Sequence, residues 1–535
     1  MSVDAQFPDE LLVGLTPEQR EAVTSPSRRL LVRATAGSGK THVLTLRIQR
    51  RIATRELEPS DVLVMTFTRR AGEELRRRLY RADIRDVRAG TFHRAALNIV
   101  NQFREDHSLR PLNVEANRRR IVTPLAQHLR ESGELVLEDW QLPRLEQEIG
   151  WALSQGFNGP QYAKVARRLR RDAPLPPSQF AEVLDRYIGL CRSRGVLDFD
   201  LLLSEAIGLL RDEPAVLAAF RHRNRSLYVD EAQDMNPLQF MMLRQMAGDD
   251  PDLFCVGDPN QSIYGFNGAN PQLLDEIIRT WPDTISLDLT RNHRSTANII
   301  AVANTLLEEG ARGIKPAKDE GEVPVVRGYN TDDEEAQHVA AWLALKHRPG
   351  SAWKTMAVLA RTNAQLEVIA GFLDAAEIPY ERRGSDHSPA SDLTPSDSTR
   401  RSDETQRDAV ALSTIHRAKG LEFQHVASIG WAEGQLPNYN ASTPSELAEE
   451  QRLAYVALSR AETSLLITWS RGRNDPRFPD RSPSRFLHGV EDAIHDIERR
   501  NAPLTGEARR ARLAAIRAEL SGVDDSRISS DFGPH

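Results

Sequence analysis

The stretch at residues 30–46 constrains the chain most, because it joins a short apolar run to a glycine-rich turn and then to a helix start. It reads Leu-Leu-Val-Arg-Ala-Thr-Ala-Gly-Ser-Gly-Lys-Thr-His-Val-Leu-Thr-Leu. The apolar run is typical of a buried parallel strand, and glycine lets the following backbone approach a ligand closely. Backbone N–H groups of the turn and of the helix N-terminus would then cradle a phosphate. The pattern predicts a P-loop.

Within this P-loop, Lys40 would reach the β- and γ-phosphates of a nucleotide and the Thr41 hydroxyl would hold Mg²⁺. The strict pattern has glycine where this chain has Ala34, and the alternative is a glycine-rich turn with an incidental lysine. The residues assigned to nucleotide binding here are Ala36, Gly37, Ser38, Gly39, Lys40 and Thr41.

Bulk properties predict a soluble cytoplasmic protein of roughly three or four domains, since the chain has 535 residues and no apolar run long enough to cross a bilayer. Two cysteines exclude a disulfide framework and a four-cysteine zinc site. The net charge is −6, yet arginines are clustered, for example at 76–78 and 118–120. Such patches can bind phosphates, although each cluster alone is more often a solvated helix face.

A second strand-end feature supports nucleotide chemistry. Residues 226–234 read Ser-Leu-Tyr-Val-Asp-Glu-Ala-Gln-Asp, so a strand delivers an acidic pair to its carboxyl end. Asp230 is placed to hold Mg²⁺ and Glu231 to orient the attacking water. An acidic pair at a strand end is weak evidence alone, but it becomes strong after an upstream P-loop.

Two further strands end in a threonine followed by an aromatic ring, at residues 61–67 and 87–93. The residues at these ends are Thr66 with Phe67, and Thr91 with Phe92 and His93. Ligands bind at the carboxyl ends of strands in open α/β sheets. A hydroxyl for phosphate and a ring for base stacking suit single-stranded nucleic acid. As isolated features, these phenylalanines would belong to the core.

One loop could contact both the nucleotide and the single-stranded nucleic acid. The strand at 253–258 runs into Pro-Asn-Gln-Ser-Ile-Tyr-Gly-Phe-Asn-Gly-Ala. Gln261 could contact the γ-phosphate while Tyr264 and Phe266 face a base. Coupling of hydrolysis to movement requires such a shared element.

Before the P-loop, Gln19 lies on the first turn of a helix, where its amide could read adenine; an ordinary capped helix is the alternative.

A second α/β unit begins near residue 287, with strands expected at 323–329, 356–361, 409–415, 425–429 and 465–469. Its closing helix places Arg452 and Arg460 eight residues apart and hence near one face. An arginine presented across a cleft to a γ-phosphate is an arginine finger. A salt-bridged helix is the alternative.

The fold class expected from these patterns is α/β, with two P-loop-type sheet domains. Residues 1–100 and 215–288 would form the first, with a strand-free helical insertion at 101–214. Residues 289–384 and 409–490 would form the second. Ser, Asp, Thr and Pro dominate 385–408, which predicts a flexible linker. Residues 491–535 would hold a basic helix at 507–520 and a disordered end.

The order of these motifs resembles the UvrD/Rep/PcrA family of superfamily 1 DNA helicases, over residues 15–487. The resemblance implies two RecA-like domains with ATP between them. It implies that Gln19 reads adenine, that Lys40 and Thr41 bind phosphate and Mg²⁺, and that Glu422 lies near the nucleotide. For catalysis, it implies that Asp230 is the metal ligand and Glu231 the general base. Gln261 would sense the γ-phosphate, and Arg294 and Arg460 would reach that phosphate from the second domain. It places Thr66, Phe67, Thr91, His93, Tyr264, Phe266, Arg361, Asn363, Thr414 and His416 along the single-strand track.

The chain also departs from the family pattern. Phe266 stands where a Trp is usual, Asn267 where an Arg is usual, His293 where a Tyr is usual and Ala232 where a Phe is usual. None of these changes removes a catalytic group. The largest departure is the second insertion subdomain, which the linker at 385–408 replaces. The tail is similar to that of actinobacterial members with a reduced second insertion.

The resemblance implies an ATP-dependent 3′-to-5′ DNA helicase or translocase in DNA repair or recombination, with ATP and Mg²⁺ as cofactors and single-stranded or 3′-tailed DNA as partner. The alternative is a DNA-binding motor subunit of a larger complex, for example with a nuclease or another repair protein, with little unwinding activity alone. The missing insertion favours the alternative. No membrane partner is expected.

Overall fold

The computed structural model of the chain describes residues 9–169, 171–308, 313–382, 407–472, 480–501 and 506. The predicted linker at 385–408, except its last two residues, lies outside this part of the chain. So do the predicted basic helix at 507–520 and the end of the tail. Among the helices that are described, none has the length and apolar character needed to cross a membrane.

The strands are short and, within the two large sheets, mostly buried. In chain order they are β1 (Arg29–Ala34), β2 (Val62–Thr66), β3 (Arg88–Thr91), β4 (Asn113–Val114), β5 (Val196–Leu197), β6 (Ser226–Val229), β7 (Asp252–Gly257), β8 (Ile285–Leu289), β9 (Arg291–Asn292), β10 (Lys315–Pro316), β11 (Val325–Thr331), β12 (Met356–Ala360), β13 (Tyr380–Arg382), β14 (Val410–Thr414), β15 (Phe423–Ser428) and β16 (Ala461–Gly472).

Helices connect these strands and form a separate block between β4 and β5. In chain order they are α1 (Pro17–Thr24), α2 (Lys40–Ala53), α3 (Arg69–Arg81), α4 (Phe92–Asp106), α5 (Arg119–Glu131), α6 (Leu142–Ser154), α7 (Gly159–Leu169), α8 (Pro177–Arg194), α9 (Phe199–Asp212), α10 (Pro214–Arg223), α11 (Pro237–Ala247), α12 (Leu273–Thr280), α13 (Ala297–Asn304), α14 (Asp332–Lys346), α15 (Asn363–Ala375), α16 (Ile415–Ala418), α17 (Pro444–Leu458) and α18 (Leu487–Asn501).

The first sheet has six parallel strands in the order β3-β2-β6-β7-β1-β8. Every residue of β2, β6 and β7 is buried, because helices cover both faces of the sheet. This explains why these strands are continuous apolar runs in the sequence. Since all strands are parallel, their carboxyl ends lie at one edge, where Thr66 of β2 pairs in register with Thr91 of β3.

The second sheet also has six parallel strands, in the order β11-β16-β15-β12-β14-β13. Five of them are the strands expected from the sequence. The sixth, β13, was not expected, because three residues are too few to show a periodic pattern. The two sheets confirm the predicted α/β class with two parallel-sheet domains.

The helical block has its own core. Buried side chains of α5, α6, α7 and α8 form one apolar cluster that includes Leu145, Phe180 and Tyr187. Helices α4 and α9 instead contribute to the core of the first sheet, through residues such as Ile99 and Leu203. The expectation that this region lacks strands was wrong in one detail. The two-residue strands β4 and β5 pair in parallel where the chain enters and leaves the block, and such short strands leave no signal in a sequence.

The two domains contact each other through α17 of the second domain. Ala36 of the P-loop and Ile263 belong to the same apolar cluster as α17 and its neighbours. The Tyr455 hydroxyl lies 3.4 Å from the Ala36 backbone nitrogen, which donates to it. The carboxyl edge of the first sheet therefore lies against this helix.

A buried ion pair anchors the helix that follows the P-loop. Arg51 of α2 donates to both carboxylate oxygens of Asp252 at the start of β7, over 2.8 and 2.6 Å. Only 9% of each side chain is exposed. A pair so far from water is costly to break, because removal of one partner leaves an uncompensated buried charge.

We predict that Asp252→Ala lowers the free energy of unfolding by about 3–5 kcal/mol, since the buried Arg51 guanidinium then keeps only the more exposed Glu56 as an ionic partner. Urea denaturation followed by circular dichroism measures the change. Asp212→Ala is the matched control, because Asp212 pairs with Arg211 on the surface and its loss should hardly matter. Equal effects of the two variants would contradict the prediction.

Candidate nucleotide and nucleic-acid site

The turn between β1 and α2 has the backbone of a phosphate cradle. Gly37 and Gly39 have φ values of +67° and +84°, the left-handed region that favours glycine. A Cβ atom on Gly37 would lie 2.5 Å from the side-chain nitrogen of Asn292, so the neighbouring domain leaves no room for a side chain. Helix α2 begins at Lys40, and its first N–H groups face the turn.

Residues from two other elements hold this turn in place. The Gln19 amide nitrogen donates to the Ser38 carbonyl over 2.9 Å. The Asn292 side chain donates to the Ala36 carbonyl over 2.7 Å, and the Gly37 carbonyl accepts from the His293 backbone N–H over 2.9 Å. Gln19, which is buried beside the cradle, also caps α1 through a reciprocal pair of bonds with Thr16. The predicted adenine reader is thus adjacent to the phosphate turn.

The two predicted metal ligands lie together. The Thr41 hydroxyl donates to Asp230 Oδ2 over 3.3 Å. Burial, and after it the adjacent Glu231 carboxylate, raise the pKa of Asp230 to about 7. A hydroxyl beside a buried carboxylate supplies hard oxygen donors, which fit Mg²⁺. A bound cation would offset the cost of ionising this carboxylate.

Glu231 has an unusual backbone conformation. Its φ of +54° is rare for a residue with a side chain, and such strain occurs mainly at functional sites. The Gln233 amide nitrogen donates to Glu231 Oε2 over 2.5 Å, while Gln233 Oε1 accepts from the Asp258 N–H over 2.9 Å. Burial opposes ionisation of Glu231, but nearby Lys40 and Lys419 outweigh it and lower its pKa. A base with these neighbours stays ionised.

Gln261 and Arg460 meet across the two domains. The Gln261 side chain donates to Asp258 Oδ2 over 2.7 Å and accepts from Arg460 over 3.4 Å. Arg460, which is fully buried, also donates to the carbonyls of Val456 and Leu421. Burial, and then the charge of Arg294, lower the pKa of Arg460. Lys40 lies 3.9 Å from Asp258 in the same cleft.

The other predicted arginine lies nearby but has its own partner. Arg294 donates to Glu422 Oε2 over 2.7 Å and to the Ser459 carbonyl over 3.2 Å. Its Cβ would be 2.9 Å from a Cβ on Gly37, so its backbone packs directly on the P-loop. The structure therefore brings all residues predicted for the nucleotide into one cleft between the domains.

Three of the residues predicted for the single strand form a cluster of rings. The centroids of Tyr264 and His416 are 6.3 Å apart, those of Phe266 and His416 are 5.6 Å apart, and those of Tyr264 and Phe266 are 6.1 Å apart. Burial, and then Arg361 and Lys419, lower the pKa of His416 to about 3, so its ring is neutral. Phe266 is exposed and available to a ligand.

The threonine and aromatic pairs of the first sheet are more enclosed than the sequence predicted. Thr66 and Thr91 are almost fully buried. The Thr66 hydroxyl donates to the Thr68 carbonyl over 3.0 Å, and the Thr91 hydroxyl accepts from the Arg94 N–H as the cap of α4. Phe67 packs on Phe92, and His93 packs edge-on against Phe199. Their side chains are placed at the expected edge but already have protein partners.

The remaining predicted DNA residues line the carboxyl edge of the second sheet. Arg361 follows β12 and donates three bonds of 2.8 to 3.2 Å to Glu450 of α17. Asn363 is exposed at the start of α15, and Thr414 ends β14 with 8% of its surface exposed. These residues lie at the edge of the second sheet, whereas Thr66 and Thr91 lie at the edge of the first.

The sequence did not identify the pair that joins the nucleotide side to the ring cluster. Lys419 donates to both carboxylate oxygens of Asp234, over 2.7 and 2.6 Å, and to the Gln261 carbonyl over 2.5 Å. Its ammonium group lies 5.1 Å from the centre of the Tyr264 ring. Burial raises the pKa of Asp234 to about 6, against the opposing charge of Lys419. Both residues lie within motif stretches, but no local spacing pairs residues of different domains.

Comparison with protein-family models matches residues 15–282 to the UvrD/REP helicase N-terminal domain. Residues 287–387 and 391–472 match the UvrD-like helicase C-terminal domain, with a break inside the predicted linker. The chain belongs to the UvrD/REP helicase family. These matches cover every predicted site residue around the cleft.

Several UvrD relatives are similar over much of the chain. ATP-dependent DNA helicase UvrD2 of Mycobacterium tuberculosis is 31% identical over 96% of this chain and 86% of its own length. ATP-dependent DNA helicase UvrD1 of the same species is 33% identical over 70% of this chain and half of its own. DNA helicase II of Escherichia coli is 32% identical over 70% of this chain and 52% of its own. The UvrD2 alignment runs over 615 positions, more than this chain has, so that relative carries residues without a counterpart here.

We predict that Lys419→Met and Asp234→Asn each lower ATP hydrolysis at saturating single-stranded DNA by about tenfold, because each leaves a buried polar group without its partner at the domain contact. Expressed as free energies, the loss of activity in the double variant should be smaller than the sum of the two single losses, since the double variant buries no unpaired charge. Steady-state hydrolysis completes this double-mutant cycle. Arg382→Met, which breaks an exposed pair with Glu367 in the same domain, is the control. Additive losses in the double variant would show that the pair is not coupled.

Proposed function

We propose that the protein moves 3′ to 5′ along single-stranded DNA and acts in DNA repair or recombination. It is an ATP-dependent DNA helicase of the UvrD family, the activity named for its mycobacterial relatives. One observation carries the part of the proposal that couples ATP hydrolysis to movement along the strand. Gln261 and Tyr264 lie three residues apart on one loop, and the second domain contacts both, Gln261 through Arg460 and Tyr264 through the His416 carbonyl.

The residues of the cleft fit a nucleotide with Mg²⁺. The glycine turn at 37–39 would surround the phosphates, and Thr41 and Asp230 would contribute oxygen ligands to the ion. Mg²⁺ commonly uses only one or two protein ligands and completes its shell with phosphate oxygens and water. When bound, the ion neutralises charge that develops on the phosphates during transfer.

The protein residues then divide the reaction between them. Glu231 would accept a proton from the water that attacks the γ-phosphorus, and Gln233 holds its carboxylate in place. Lys40, Arg294 and Arg460 would balance the negative charge of the transferred group. Gln261 would contact the γ-phosphate and lose that contact when phosphate leaves. Since Arg294 and Arg460 belong to the second domain, full catalysis would require a closed cleft.

Closure and opening of the cleft would move the strand. Tyr264, Phe266 and His416 would stack on bases, while Arg361 and Asn363 would contact the sugar-phosphate backbone. The loop that carries Gln261 also carries two of these rings, so a change at the γ-phosphate would shift the base contacts. The polarity and the repair role rest on the family resemblance. The cytoplasmic location stays a prediction from the sequence.

A second candidate function is a motor subunit of a larger complex, with a nuclease or another repair protein, that unwinds little alone. The longer UvrD2 relative favours it, because this chain lacks part of what that helicase carries. The break in the family match at 388–390 lies where the second insertion subdomain was expected to be missing. Both candidate functions use the same ATP site, and they differ in whether the protein alone separates the strands of a duplex.

Strand displacement by the purified protein tests the proposal. With ATP and Mg²⁺, we expect displacement from a 3′-tailed duplex and none from a 5′-tailed one, because loading on the tail precedes movement toward its 5′ end. Rapid translocation along a single strand without displacement would support the motor-subunit candidate. Preference for the 5′ tail would overturn the proposed polarity.

The roles of Lys40 and Glu231 predict different defects. Lys40→Ala removes a phosphate contact, so the affinity for ATP should fall by about tenfold or more and turnover should be lost. Glu231→Gln keeps the cradle and removes the base, so turnover should fall by about 100-fold or more with little change in ATP affinity. Nucleotide binding by fluorescence and single-turnover hydrolysis measure both quantities. Equal losses of affinity in the two variants would contradict these roles.

A further inference from the structure

An exposed tyrosine lies on a loop of the second domain that no assigned role includes. Residues 429–443 connect β15 to α17, and Tyr439 on this loop has 79% of its surface exposed. The loop itself is well ordered by internal bonds. The Tyr439 N–H donates to the Gly434 carbonyl over 3.2 Å, and the Ala441 N–H donates to the Asn438 carbonyl over 2.9 Å. Leu436 anchors its base with 1% exposure.

The loop lies on the same edge of the sheet as the predicted DNA residues. It follows the carboxyl end of β15, and Arg361 and Thr414 follow or end the neighbouring parallel strands β12 and β14. A single carboxylate confirms the proximity. Glu450 accepts from the Arg361 guanidinium over 2.8 Å and from the Asn438 N–H over 2.9 Å. The residue before Tyr439 is therefore tied to the same group as Arg361.

The adjacent carboxylate on α17 holds the other aromatic loop. Glu449 Oε1 accepts from the Gly265 N–H over 3.0 Å, one residue before Phe266. Two consecutive glutamates of one helix thus fix two loops, from different domains, and each loop presents an exposed ring directly after the anchored residue. Phe266 and Tyr439 are exposed by 44% and 79%.

We infer that Tyr439 is a further base-stacking platform for single-stranded DNA, in addition to the ring cluster of Tyr264, Phe266 and His416. The inference rests on the proposed function, because it assumes that the strand crosses this edge. An aromatic ring on a loop that is already ordered can bind a base at little entropic cost. Stacking needs no particular base, which suits a motor that moves along any sequence. Glu450 acts as a positioning residue that keeps the ring beside Arg361.

The test compares binding of oligothymidylate with binding of an abasic strand of equal length, by fluorescence anisotropy. Tyr439→Ala should weaken oligothymidylate binding by about tenfold and leave abasic binding nearly unchanged, because only bases stack. Tyr439→Phe keeps the ring and should bind like the unaltered protein. Phe266→Ala serves as the reference for loss of a ring at this edge.

Tyr80→Ala is the matched control. Tyr80 is 63% exposed, but it lies near the end of α3, which runs back to the opposite edge of the first sheet. We expect no change in binding for this variant. If Tyr439→Ala binds oligothymidylate as tightly as the unaltered protein, the inference is wrong while the proposed function stands. The same holds if its binding of the abasic strand weakens as much as its binding of oligothymidylate. If the unaltered protein binds no single-stranded DNA, both fail.

Discussion

The contact of α17 with the first domain is the interaction on which the whole site depends. Arg452 donates to the Ser262 carbonyl over 2.8 Å, the Tyr455 hydroxyl meets the P-loop, and Arg460 just beyond the helix reaches Gln261. A helix of this length spans about 22 Å. One rigid element therefore touches the aromatic loop near its middle, through Glu449 and Arg452, and the phosphate turn near its carboxyl end, through Tyr455. Rigid elements with two discrete arrangements are the physical means by which distant sites are coupled.

The cleft concentrates buried charge, which is poor for stability but serves catalysis under the proposed function. Asp230, Asp234 and Asp258 are all nearly inaccessible to water. Buried carboxylates are costly unless cations and hydrogen bonds compensate them, and even then an apolar pair of similar shape is often more stable. Lys40 and Lys419 provide part of the compensation here. These groups are thus better explained by ligand binding and domain closure than by folding, and their mutual distances are expected to change with the nucleotide state.

Much of this architecture could be predicted because its signals are local. Local sequence patterns identified ten of the twelve strands of the two large sheets, and the glycine turn, the acidic pair and the loop at 258–267 each occupy a few consecutive residues. The cross-domain pairs could not be predicted in this way. Lys419 and Asp234 are 185 residues apart in sequence, and nothing in either stretch specifies the other. The internal bonds of Thr66 and Thr91 were also missed, because a sequence shows that a hydroxyl is present but not which partner it has.

The paired strands β4 and β5 make the helical block an insertion whose two ends lie next to each other. Its two ends leave the first domain side by side, and Arg118 fastens them by donating to Asp198 over 2.8 Å and to Asp200 over 2.5 Å. A segment with adjacent ends can be removed, lengthened or exchanged without stretching its host, as domain insertions require. Evolution can therefore vary the surface of this block while the two sheet domains stay unchanged. The same attachment makes the block a natural unit for grafting between relatives.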